Sequence, residues 1–253
     1  MSCNTCHDLA KAGVDNKPTS EGTNGIPGTR NSPTVFNAGF HFSQFWDGRA
    51  ADLNEQAGGP ILNPAEMAIS DSATAVAKIK AIPEYTELFT KAFGENSIDY
   101  ENITEALAAF ERTLVTHDRF DSYLKGDLTA ITKAEVEGLD LFLAKACVTC
   151  HMGSMMGANM YQKNGLIKPY HNLEDEGRFE VTGIEQDKFM FKVPTLRNIE
   201  LTGPYFHDGG VASLEKTIQM MGDMQLMQQI SDEEAAKIAG FLKTMNGKQF
   251  TQG

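Results

Sequence analysis

The sequence is poor in several things that would anchor common readings. It carries 22 Lys and Arg against 34 Asp and Glu, for a formal charge of -12 over 253 residues. A chain this short of cations lacks the surface that phosphate backbones require, which excludes nucleic acid as a partner. No apolar run approaches the roughly 18 residues that a membrane-spanning helix needs. No positively charged, apolar leader precedes Cys3. Strand signals are few and short, so a mainly α fold with long connecting loops is expected. Tryptophan occurs once and cysteine four times.

All four cysteines fall in two copies of one pattern, Cys3-Asn4-Thr5-Cys6-His7 and Cys147-Val148-Thr149-Cys150-His151. Two cysteines separated by two residues and followed by histidine form a c-type haem attachment site. The thiols bond the haem vinyl groups as thioethers, and the adjacent imidazole reaches one axial face of the iron. A disulfide, a redox dithiol or half of a zinc site would leave both trailing histidines unexplained. Two covalently bound haem c groups are therefore expected, with His7 and His151 as iron ligands. Such thioethers are made outside the bacterial cytoplasm, so the expected location is the periplasm, and the sequence reads as a mature or trimmed form.

Two attachment motifs in a chain of this length favour two cytochrome c-like haem domains. Residues 8 to 34 are rich in Gly, Asn, Pro, Thr and Ser and read as a loop over the first haem. Helical pattern appears through 73 to 82 and 84 to 93, and Ile103, Leu107, Phe110 and Leu114 share a helical face. The first domain is expected to span 1–116. A second domain, 117–253, opens with a capping box, Thr132 and Glu135, ahead of Val136, Leu139 and Phe142, in a helix running straight into Cys147. Another capping box, Ser231 and Glu234, starts the last helix near 232, with Ile238, Phe241 and Leu242 facing the core. The C-terminal tail is a candidate to pack back on the first domain.

An internal repeat relates the halves. Pro33, Thr34 and Asn37 recur as Pro194, Thr195 and Asn198, an offset of 161 residues. The same offset pairs Phe45 with Phe206, Trp46 with His207, Asp47 with Asp208, Gly48 with Gly209 and Leu53 with Leu214. Carried onward, it sets Met221 opposite Pro60. Methionine sulfur is a common sixth haem ligand that raises the potential, and proline has no side-chain donor. The second haem is then His151/Met221, and the first is left open to a small ligand. Met220, Met224 and Met227 are neighbours that compete as core filler. Beyond Pro60, Glu66 is a candidate for moving a proton between the oxygens of a bound peroxide. Gln56 is a candidate hydrogen-bond donor in the same pocket. Trp46 is a candidate conducting aromatic between the haems, with a core position as its ordinary alternative.

These stretches resemble the bacterial di-haem cytochrome c peroxidases. Arg30-Asn31-Ser32-Pro33-Thr34-Val35-Phe36-Asn37 with Phe45-Trp46-Asp47-Gly48-Arg49 is similar to the family's first-domain signature. Val193-Pro194-Thr195-Leu196-Arg197-Asn198 with Pro204-Tyr205-Phe206-His207-Asp208-Gly209 is similar to the second. The resemblance implies reduction of hydrogen peroxide to water with two electrons from a small periplasmic donor protein, a cytochrome c or a cupredoxin. It implies Glu66 as the acid-base residue, with Gln56, Phe45 and Pro60 lining the pocket, Trp46 between the haems and Met221 as ligand of the electron-transfer haem. It also implies a homodimer, and a calcium ion at Asn31, Thr202 and Pro204. Two alternatives stay open: a non-catalytic electron-transfer cytochrome, and a relative that oxidises a protein substrate. That last branch places tyrosine where Met221 stands, so the methionine argues against it. One departure stands out. Many members carry a loop histidine that caps the peroxidatic iron in the resting state, and the matching residue here is Thr23, with His41 as a less favoured substitute. A first haem that stays open when fully ferric is the expectation.

Overall fold

The structure is a computed structural model that describes residues 1–249; residues 250–253, the end of the expected second domain, lie outside the described residues. Helices α1 (Leu53–Leu62), α2 (Ser72–Lys80), α3 (Pro83–Phe93) and α4 (Tyr100–Glu111) occupy the first half. Their core is Ile61, Ala75, Phe89, Ile98 and Ile103. The second half holds α5 (Arg119–Leu124), α6 (Lys133–Ala144), the short α7 (Phe179–Thr182), α8 (Leu214–Leu226) and α9 (Asp232–Lys243). A separate core joins Phe142 of α6 and Ile218 of α8 to Ile238, Phe241 and Leu242 of α9. The strands are minor: β1 (Thr116–His117) pairs with β4 (Lys248–Gln249), and β2 (Tyr161–Lys163) with β3 (Met190–Lys192), both antiparallel. The mainly α expectation holds. Two separate cores support a division near residue 116, which we propose as the domain boundary.

Both capping boxes form. The Thr132 and Ser231 hydroxyls accept from the Glu135 and Glu234 amides at 3.3 and 3.2 Å, and each glutamate accepts in return from the cap residue's amide. The boxes satisfy amides that a helix start leaves unpaired. Helices α6 and α9 approach closely because Gly138 has no side chain. A β-carbon there would lie 2.1 Å from the Lys237 carbonyl oxygen.

Three details differ from expectation. Helix α4 ends at Glu111, so Leu114 is buried beyond it, and Phe110 is 53% exposed. Helix α6 stops at Ala144, and the chain turns through left-handed Ala146 before Cys147. The loop over 8–34 contains single 3-10 turns at Leu9–Lys11 and Thr23–Gly25.

The repeat is visible in the backbone. Phe45 and Phe206 have φ of 65° and 69°, and Asn37 and Asn198 have 62° and 60°, left-handed values that bulky residues adopt rarely. The bridges Gln44↔Ala50 and Tyr205↔Val211 are equivalent under the offset. Across the halves the Asn31 amide donates to the His207 carbonyl at 2.7 Å, and the Lys192 amide donates to the Trp46 carbonyl at 2.7 Å. Under the repeat these are one bond made in both directions. Reciprocal contact between equivalent positions is the mark of a local twofold relation.

Candidate functional site

Each Cys-x-x-Cys-His segment forms the same tight turn. The His7 amide donates to the Cys3 carbonyl at 2.9 Å, and the His151 amide to the Cys147 carbonyl at 3.1 Å. His7 Nδ1 donates to the Gly13 carbonyl at 3.3 Å and His151 Nδ1 to the Met156 carbonyl at 3.2 Å. A carbonyl can only accept, so the proton sits on Nδ1 and Nε2 keeps its lone pair for a metal. The repeated threonines brace these loops, because Thr34 and Thr195 donate to the Ala12 and Met155 carbonyls, each at 2.6 Å. Burial pushes the His151 imidazole down to about 4, and burial also lowers that of His7. Both rings are neutral, as iron ligands must be. None of the four cysteines is paired in a disulfide.

A cavity of about 210 Å³ lies against the second motif, walled by Cys147, Cys150, His151, Thr217, Ile218 and Met221. Met221 stands half-buried on α8. Its rivals do not border the cavity: Met220 and Met224 pack into the core, and Met227 is 66% exposed.

A larger cavity of about 530 Å³ lies against the first motif. It brings together Cys3, Cys6 and His7 with Phe45, Trp46, Gln56, Pro60 and Glu66. Gln56 and Pro60 are four residues apart on α1 and so share a helical face. Pro60 fills the position of Met221, so α1 offers no sulfur where α8 does. Glu66 sits in the turn after α1, where Asn63 Nδ2 donates to its Oε1 at 2.7 Å. Burial raises the Glu66 carboxyl, partly offset by Asn63 and by the charge of Arg49. The Thr23 amide donates to the Glu66 carbonyl at 2.7 Å, and the Thr23 hydroxyl to the Met67 carbonyl at 3.3 Å. Thr23 is therefore occupied in holding the Glu66 turn.

Arg49, Glu111 and Met67 are three of the wall residues of this cavity that sequence reasoning missed. The Arg49 guanidinium lies 3.5 Å from the Phe45 ring centroid, a cation–π contact that fixes the ring. Glu111 closes α4 against the cavity, and burial pushes its carboxyl up to about 7. Met67 also lines it, although it packs with the first-half core. None of the three carries a pattern of its own in the sequence.

Trp46, Phe45, His41 and Lys192 border both cavities. Trp46 Nε1 donates to the Asn31 carbonyl at 2.8 Å, which fixes its ring at the boundary. His41 Nε2 and His207 Nε2 are buried with no protein partner among the described residues. Two neutral histidines on tight turns, paired thiols, cavities beside them and buried nitrogens awaiting a partner fit haem c at both places.

Asn31, Thr202 and Pro204 all line the cavity beside the second motif. Asn16 Nδ2 donates to the Leu201 and Gly203 carbonyls on either side of Thr202, at 2.9 Å each. No group of three or more His, Cys, Asp or Glu among the described residues is arranged to hold a metal ion. Calcium here would rest on amide and carbonyl oxygens, which are donors of the type it accepts.

A family profile described as di-haem cytochrome c peroxidase matches residues 1–129. The chain is 49% identical over 251 residues to a cytochrome c551 peroxidase of Nitrosomonas europaea, covering 98% of this chain and 75% of that protein. It is 44% identical over 256 residues to a cytochrome c551 peroxidase of Pseudomonas aeruginosa, covering 98% and 74%. A crystal structure of a MauG-like protein associated with microbial copper homeostasis superposes with a TM-score of 0.86 at 29% identity, covering 97% of this chain and 83% of the other.

Proposed function

The chain belongs to the di-haem cytochrome c peroxidase family and is a haem-dependent peroxidase, and from that premise we propose how its residues divide the work. Haem iron, when bound, supplies the one-electron redox chemistry that peroxide reduction requires. His7, with thioethers at Cys3 and Cys6, would hold the peroxidatic group. His151, Cys147, Cys150 and Met221 would hold the electron-transfer group.

In the first cavity Glu66 is the acid-base residue: its carboxylate takes a proton from one peroxide oxygen and its carboxylic acid returns it to the other. The raised pKa supports this, because a group that changes protonation state within one turnover works best when neither form is strongly preferred. Asn63 holds one carboxylate oxygen and so orients the other. Gln56 donates a hydrogen bond to the bound peroxide, while Phe45 and Pro60 present apolar surface that limits the space to a small ligand. Trp46, on the boundary of both cavities, is the bridge for electrons. No histidine stands at Thr23, which supports a first centre that stays open when fully oxidised.

The observation that carries this reading is the difference between the cavities. Glu66, Gln56 and Pro60 gather at the first motif, and Met221 stands at the second. The test is Glu66→Gln. Both haem spectra should persist and turnover should fall about 10²- to 10⁴-fold, the usual scale of acid-base catalysis. Retained turnover removes Glu66 from the mechanism.

The donor we propose is a small cytochrome c or cupredoxin, and the location the periplasm, because thioether attachment of haem is made outside the cytoplasm. No helix among the described residues is long and apolar enough to cross a membrane. We further propose a homodimer, and calcium at Asn31, Thr202 and Pro204.

A further inference from the structure

The Phe45 ring is held from two directions. Its face carries the Arg49 guanidinium, 3.5 Å from the ring centroid. Its tip meets α1 at Gly59, where a β-carbon would lie 3.3 Å from Phe45 Cζ, closer than β-carbons ordinarily come. The bare glycine therefore lets the ring seat against the helix one residue from Pro60. Arg49 is fixed in turn by Asp47: its Nη1 donates to both carboxylate oxygens, at 3.1 and 2.9 Å, and its own amide donates to Oδ1 at 3.1 Å. Asp47 is buried and is also bonded by Arg30, so the anchor is itself anchored. The turn that carries Phe45, Asp47 and Arg49 is closed by the Gln44 amide, which donates to the Ala50 carbonyl at 2.8 Å. All three residues line the first cavity with Gln56 and Glu66.

The second half builds the same turn without the cation. Under the offset of 161 residues Arg49 becomes Gly210 and Gly59 becomes Met220. Phe206 has the Tyr170 ring beside it, centroids 4.7 Å apart, and Asp208 accepts from Tyr170 and Asn172 where Asp47 accepts from arginines. The left-handed phenylalanine turn thus forms with no guanidinium over its ring, and the stack belongs to the half that holds Glu66. We infer that Arg49 is a specificity-determining residue: stacked on Phe45, it pins the ring against α1, so that the first cavity accepts hydrogen peroxide and turns away alkyl hydroperoxides. Without the stack the phenyl side chain can visit its other staggered rotamers. Room for even one methylene in an apolar pocket changes selectivity about 10- to 200-fold.

This rests on the first cavity being the open peroxide site, and that premise has its own measurement. Cyanide should bind the first centre of the fully oxidised two-haem protein, read in the electronic spectrum; no binding there removes the premise and the proposal with it. Two ratios then test Arg49 itself. One is the affinity of the first centre for imidazole relative to cyanide, and the other is kcat/KM for tert-butyl hydroperoxide relative to hydrogen peroxide. Arg49 also acts on the Glu66 carboxyl through its charge, an effect common to every peroxide, and a ratio cancels it. Arg49→Gln should raise both ratios about tenfold or more, the lower end of what one methylene of space is worth. Phe45→Ala, which removes the ring, should raise them further. Arg49→Lys keeps the charge and loses the planar stack, so it should move both ratios the same way. Parental ratios in Arg49→Gln, with cyanide binding intact, overturn the proposal and leave the peroxide site standing. The Arg49 side chain is 40% exposed, so the fold should survive its replacement; should Arg49→Gln fail to load haem, the same ratios in Arg49→Lys decide, and parental values there overturn the proposal.

Discussion

Substituting Gly22 by alanine tests whether the loop after the first motif holds Glu66 in place. Gly22 lies against the back of the Glu66 turn. A β-carbon there would stand 2.0 Å from the Ala65 carbonyl oxygen, 2.6 Å from its carbon and 3.1 Å from Glu66 Cα. These are backbone atoms, which cannot rotate away, so the segments must part by more than about 1 Å to reach ordinary contact near 3.5 Å. Parting strains or breaks the 2.7 Å bond from the Thr23 amide to the Glu66 carbonyl. Overpacking costs about 1–3 kcal/mol and the lost bond about 1 kcal/mol. Relaxation of the loop shares this cost, so destabilisation of about 2–3 kcal/mol is expected, or roughly 5–10 °C in Tm for a chain of this size.

The larger effect falls on rate, since a 1 Å misplacement of an acid-base group costs up to about 10²-fold. Peroxide-dependent oxidation of reduced cytochrome c, followed beside the haem spectra, separates the two. The expected Gly22→Ala protein keeps both spectra and loses most of its turnover. Gly240 in α9 is the control, because nothing lies within 4 Å of a β-carbon there, and Gly240→Ala should stabilise by about 0.5–1 kcal/mol without touching activity. Parental Tm and turnover in Gly22→Ala would refute the packing argument.

Met221→Leu conserves volume and should cost less than about 1.5 kcal/mol in stability, yet the potential of the second centre should fall for want of the thioether. Spectroelectrochemistry checks this, with the exposed Met227→Leu as a silent control. The fully oxidised enzyme should reduce peroxide about as fast as the half-reduced form, because Thr23 offers no cap to dislodge; activation of many-fold on half-reduction contradicts this. Glu135, hydrogen-bonded by Arg119 on α5, is pushed down to about 2 from 4.5. A depressed carboxyl contributes stability that is complete above pH 4.5 and lost as pH falls toward 2. Because Arg119 is half exposed, Glu135→Gln should remove only about 1 kcal/mol at neutral pH. Denaturant melts between pH 7 and 3 should show its deficit shrinking as the parent loses the same contribution.

The parts legible in the sequence were those in which residue type dictates geometry. Capping boxes mark helix starts because Ser, Thr and Glu satisfy specific amides, and both formed. The attachment motifs and the repeat located both cavities, and the offset placed Pro60 and Met221 on equivalent helices. Helix α1 was not legible, because Gly58, Gly59 and Pro60 disfavour a helix locally and tertiary packing against α4 prevails. The end of α4 was misjudged for a related reason: Leu114 keeps the apolar period but is buried by the segment after the helix. Glu111, Arg49 and Lys192 were invisible as wall residues because a charged side chain in a long chain carries no signal until the fold buries it.

The local twofold separates what the repeat preserves from what it changes. Thr34 and Thr195 brace the histidine loops, Asn37 and Asn198 take left-handed turns, and Phe45 and Phe206 do the same. These matched residues hold backbone in place, and either half needs them to hold its prosthetic group. Among the unmatched pairs are Pro60 and Met221, Trp46 and His207, and Asn31 and Lys192, and these six residues all border a cavity. A change at a bracing position would cost the fold in one half without altering the chemistry. A change at a wall position alters ligation, conduction or charge and leaves the fold in place. On the proposed assignment two similar halves diverge in role through a few cavity-facing residues: Met221 would saturate one centre, and Pro60 would leave the other open to substrate.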